Sequence, residues 1–115
     1  MLYIKAAGTD YNFFREMEEK YSDFIVADSK NFDGSKEIVE VFISLTPAIL
    51  SSLTIIIHDI LSYMKSRHKD DSKKQTEIEI EKKTSAGEYK VIVKSSEIDD
   101  VDKAVTKTIQ QIKKL

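Results

Sequence analysis

The run from Val41 to Ile57 carries no charge, and what it becomes decides the fold. It is 17 residues long and includes Ser44, Thr46, Pro47, Ser51, Ser52 and Thr54. That falls short of the roughly 20 consecutive apolar residues needed to cross a hydrocarbon layer of about 30 Å. A membrane span is therefore not expected, and the run reads as core. Pro47 divides it, because the proline ring fixes φ and removes an N–H donor, which suits the first turn of a helix and not the middle of a strand. Upstream, Ile38 to Leu45 is short and rich in β-branched residues, as a largely buried strand should be. Downstream, Thr46 as N-cap and Pro47 as the first helical residue open a helix expected to reach about Lys69. Ile49, Leu53, Ile56, Ile60 and Met64 recur at helical spacing, and Leu50, Ile57 and Leu61 widen that stripe. Ser51, Thr54, His58, Ser62 and Lys65 form the narrow polar side.

The flanking segments supply the rest of a small α/β domain. Leu2 to Ala7 alternates as a strand, with Leu2 and Ile4 on one face and Tyr3 and Lys5 on the other. Gly8-Thr9-Asp10 turns the chain into a helix from about Asp10 to Tyr21, on which Phe13 or Phe14, Met17 and Tyr21 fall three and four residues apart. Phe24 to Ala27 makes a second strand, and Asn31-Phe32-Asp33-Gly34 has the chemistry of a turn, so the Ile38 strand should pair antiparallel with it. Thr76 to Lys83 and Tyr89 to Ser95 alternate and are joined by a hairpin turn through Gly87. Ile98 to about Lys114 closes the chain as a helix, with Ser96 and Asp99 expected at its cap and Ile98, Val101, Val105, Ile109 and Ile112 on its buried stripe.

The expected order is β-α-β-β-α-β-β-α, an α+β two-layer sandwich in which helices cover mainly one face of a mostly antiparallel sheet of about five strands. The whole chain, residues 1–115, is read as one domain. A one-sided helix layer leaves the other sheet face open, and Tyr3, Ile38, Phe42 and Ile92 fall there among charges. If contiguous, they form an apolar patch suited to a protein partner or to a second copy of the chain. If the last helix crosses to that side, they are core.

Composition narrows the function. With 18 basic and 20 acidic residues the net charge is only -2, so no long-range field gathers nucleic acid or anionic lipid. The absence of cysteine removes disulfides, thiolate nucleophiles and cysteine zinc sites. Met1 to Lys5 has none of the features of a signal peptide, and a cytoplasmic protein is expected. The charged stretch Arg67 to Lys74 mixes signs, because Asp70 and Asp71 offset its cations, and reads as a solvated helix end. Glu77, Glu79 and Glu81 share one strand face with Lys90 and Lys94 opposite, which reads as cross-strand charge pairing and not as a metal site. His58-Asp59 is the one pair that suggests a catalytic dyad. Adjacent helix residues point about 100° apart, however, so Asp59 is badly placed to orient His58. No glycine-rich phosphate loop or nucleophile elbow occurs. Neither an enzyme nor a cofactor or metal is expected.

The strand-to-helix segment "TPAILSSLTIIIHDILSYMKSRHK", the hairpin "TEIEIEKKTSAGEYKVIVKSSE" and the closing "IDDVDKAV" resemble the effector-associated constant component proteins of bacteria over nearly the whole chain. This chain is richer in Ile and Lys than many members. The resemblance implies a small non-catalytic module, encoded beside proteases, nucleases or nucleotide-handling proteins in antiphage and conflict systems, that presents or restrains an effector. The alternative is a phage or mobile-element inhibitor that blocks a host enzyme. Both expectations make a protein the partner and leave the open face, or an unpaired strand edge, to bind it.

Overall fold

A computed structural model of the chain describes residues 2–7, 11–21, 23–27, 30–32, 36–70, 76–84 and 87–113. The expected turns at 8–10 and 33–34 and the charged exit at 71–74 lie outside the described residues. The elements are β1 (Leu2–Ala7), α1 (Tyr11–Lys20), β2 (Phe24–Val26), β3 (Lys30–Phe32), β4 (Lys36–Ile43), α2 (Pro47–Asp70), β5 (Glu77–Thr84), β6 (Gly87–Lys94) and α3 (Val101–Lys113). A 3-10 turn, Ser95–Glu97, links β6 to α3. The class is as expected: helices on one face of an antiparallel sheet.

The sheet runs β2-β4-β1-β5-β6, with every pair antiparallel and β3 continuing the β2 edge along β4. One expectation is refined here. The expected second strand is followed, on the same edge, by β3, a strand of three residues that the turn chemistry around Asn31 had hidden. Ala27 still donates its N–H to the Glu40 carbonyl at 2.8 Å. The edge is therefore broken and not ended.

Alternation sends Leu2, Ile4 and Ala6, Val39, Val41 and Ile43, and Ile78 and Ile80 to the helix side, where all are buried. Phe14 and Met17 of α1, the α2 stripe, and Val105, Ile109 and Ile112 of α3 close over them. Thr46 fills the cap role foreseen for it: its Oγ1 accepts from the Ile49 N–H at 3.3 Å, and its carbonyl accepts from the Leu50 N–H at 2.9 Å. Its hydroxyl also donates to Asp23 Oδ2 at 3.0 Å, which ties the start of α2 to the segment before β2.

By length and composition alone, the 21 residues Pro47–Arg67 could cross a membrane. Here Ile49, Leu53, Ile56, Ile57, Ile60, Leu61 and Met64 of that helix lie in the core. Leu50 does not follow them. It sits about 20° from Ile57 around the helix axis, yet Leu50 is 54% exposed and Ile57 is fully buried. Ile55 is exposed as well. Burial on this side of α2 therefore changes along the helix: it is complete at Ile57 and Leu61 and open at Leu50, although Ile49 and Leu53 on the neighbouring side are buried.

The final helix begins later than expected. Ser95 and Glu97 belong to the 3-10 turn, and Asp100 is the cap, its Oδ1 accepting from the N–H groups of Asp102 at 3.0 Å and Lys103 at 3.3 Å. Ser96 and Asp99 do not cap it. The displacement has a cause: Ser95 is committed to the sheet, its N–H donating to the Thr76 carbonyl at 2.8 Å while its Oγ accepts from the Thr76 N–H at 3.0 Å. The chain needs the next few residues to leave the sheet before a helix can start. Lys65 then reaches across to the Asp99 carbonyl at 2.6 Å, joining α2 to that corner.

Candidate interaction surface

The face of the sheet away from the helices is laid out by the strand registers. One row across it reads Ile25, Phe42, Tyr3, Glu81, Lys90. The next reads Glu40, Lys5, Glu79, Ile92, and the one after it Ile38, Ala7, Glu77, Lys94. The last helix does not cross to this side, since Val105, Ile109 and Ile112 all belong to the helix-side core.

Of the four residues foreseen as a partner surface, the structure brings two together. The Tyr3 and Phe42 rings meet with centroids 5.1 Å apart at a tilt of 47°, within the separation at which aromatic pairs attract. Ile38 lies four residues further along β4, roughly 13 Å away at the rise of an extended strand. Ile92 is 49% exposed on β6, three strands across and two residues along from Phe42, roughly 16 Å away at ordinary strand spacing and rise. Lys5 and Glu79 stand between Ile92 and the aromatic pair. The four do not make one patch. The residue that completes the aromatic pair is Ile25, directly opposite Phe42 and 53% exposed. A three-residue strand offers too little alternation for its outward residue to be singled out from sequence.

Charge frames this apolar row. The Tyr3 hydroxyl donates to Glu40 Oε2 at 3.1 Å. Burial, and then that hydrogen bond, push the tyrosine hydroxyl up to about 12. On the other flank Lys90 Nζ stands 2.7 Å from Glu79 and 3.3 Å from Glu81, and its hydrogen bonds to both hold its own pKa above the ordinary lysine value. Glu79 and Glu81 thus pair across strands with Lys90, and Lys94 stands opposite Glu77. Among the described residues no group of three or more His, Asp or Glu side chains has the geometry to hold a metal.

His58 is about half exposed, with Nδ1 3.7 Å from Asp59 and Nε2 3.8 Å from Asp102 at the start of α3. Both separations exceed hydrogen-bond length. His58 therefore has two carboxylates near it and neither orients it.

No family model matches the chain, and neither does any curated protein or solved structure.

Proposed function

We propose that this protein is a cytoplasmic, non-catalytic adaptor of a bacterial defence or conflict system, and that it presents or restrains an effector by binding it through the open sheet face. One observation carries the reading: Ile25, Phe42 and Tyr3 lie side by side on the sheet face that none of the described helices covers, with Ile25 more than half exposed. Two aromatic rings beside an aliphatic side chain, rimmed by Glu40 and Lys5, have the make-up of an interface centre, apolar and ringed by charge. The similarity of the α2 and hairpin segments to effector-associated constant component proteins supports the biological setting. An apolar row rimmed by charge suits a protein partner better than a small substrate, which is held in an enclosing concave pocket.

The test is co-expression with the products of the flanking genes and measurement of complex affinity. The expected outcome is a complex that Ile25→Lys weakens by roughly tenfold or more, as loss of a central interface residue does. A complex indifferent to Ile25→Lys, or no complex with any flanking product, refutes the proposal.

A further inference from the structure

The two edges of the sheet are built differently. On one, β2 and β3 are three residues each, and the Val26 N–H is capped by Glu18 Oε2 of α1 at 2.6 Å. Such breaks and caps are how a sheet discourages foreign strands. The other edge is β6, eight uninterrupted residues whose only strand neighbour among the described residues is β5. Ser95, which follows β6 in the same register, aims its N–H at the Thr76 carbonyl, that is, towards β5. Odd-numbered residues of β6 therefore turn their backbone groups inward, and Glu88, Lys90, Ile92 and Lys94 turn theirs towards the free edge. All four are exposed.

We propose that two copies of the chain join edge to edge through β6, antiparallel, about a two-fold axis at Val91. Because only even-numbered residues offer outward backbone groups, a ladder requires even residues opposite even residues. Centring the axis on Lys90 sets that lysine against its own copy, and centring it on Ile92 sets Lys90 against Lys94. Sliding further runs the ladder past Gly87, where β6 begins, or into the 3-10 turn Ser95–Glu97. Centring on Val91 sets Glu88 opposite Lys94 of the other copy, twice, and Lys90 opposite Ile92, twice. Charge complementarity thus selects one register and a closed, self-complementary pair. The axis stands perpendicular to the sheet, so both open faces lie on the same side of one continuous, twisted sheet and the dimer offers one Ile25–Phe42–Tyr3 row on each half. Ile25 sits on the opposite edge from β6, so this inference and the proposed function stand or fall separately.

The test is sedimentation equilibrium of the wild type and three variants, each checked for a native circular dichroism spectrum. The wild type dimerises. Glu88→Lys and Lys94→Glu each place like charges opposite one another twice and weaken the dimer by about tenfold or more. An equimolar mixture of those two variants restores the affinity, because every 88–94 contact across the axis is then between opposite charges. Ile92→Pro removes only an outward N–H and leaves the β5 ladder intact; it yields a folded monomer, and it serves as the test if Lys94→Glu unfolds beside Glu77. A wild type that is monomeric at every concentration overturns the proposal, including a monomer that accepts an extended peptide of another protein at this edge. So does a dimer that survives Ile92→Pro, or a mixture of folded charge variants that fails to pair.

Discussion

Where β5 begins, a buried threonine and a buried serine face each other, and changing one or the other should move stability in opposite directions. Thr76 and Ser95 are 1% and 2% exposed. The Thr76 N–H donates to Ser95 Oγ at 3.0 Å, whereas Thr76 Oγ1 is buried and has no hydrogen-bond partner among the described residues. Ser95→Ala removes the acceptor and leaves a buried amide unsatisfied, a loss of about 1–3 kcal/mol. Thr76→Val keeps the shape and replaces a hydroxyl that has no partner among the described residues with a methyl group. A buried hydroxyl without a partner carries a desolvation cost of about 1–3 kcal/mol in proteins, so this change should stabilise by about 1 kcal/mol or more. In a domain of this length each kcal/mol moves the thermal midpoint by roughly 4 °C. Urea and thermal denaturation of wild type, Ser95→Ala and Thr76→Val would therefore bracket the wild type on both sides. If Thr76→Val destabilises by as much as Ser95→Ala, the hydroxyl has a partner after all and the reasoning fails.

Two further predictions address the central helix and the open face. Leu50 and Leu61 lie about 20° apart around α2 but are 54% and 0% exposed; Leu61→Ala should cost about 2–5 kcal/mol and Leu50→Ala less than about 1 kcal/mol, and equal losses in urea denaturation would show that azimuth and not axial position governs burial. Tyr3 holds its proton up to about pH 12 when folded and releases it near 10.0 when unfolded, so its contribution is whole below about pH 10 and is lost as pH rises from there towards 12. Lys90 shifts in the same direction, but it is present in both wild type and Tyr3→Phe, so the difference in urea midpoint between these two isolates the tyrosine. That difference should change between about pH 10 and 12; a constant difference would refute the assignment.

Short-range patterns made much of this architecture legible in the sequence. Strand alternation placed Leu2 and Ile4 opposite Tyr3 and Lys5, and the side chains of Thr46 and Pro47 marked the start of α2, because caps and alternation act between residues a few positions apart. The hairpin of β5 and β6 followed from the same kind of local signal, and so did the pairing of glutamates with Lys90. Tertiary structure decided what lies next to what. It set β1 between β4 and β5, and so brought Tyr3 against Phe42 while leaving Ile38 and Ile92 apart. It put Ile25 on the open face beside them, and it exposed Leu50 while burying Ile57. It also tied Ser95 to Thr76 and so passed the cap of α3 from Ser96 and Asp99 to Asp100. The physical reason is common to all of these. A side chain's direction is fixed by its own backbone, but its burial depends on how far a neighbouring element reaches, and that neighbour is brought there by packing between segments distant in the chain.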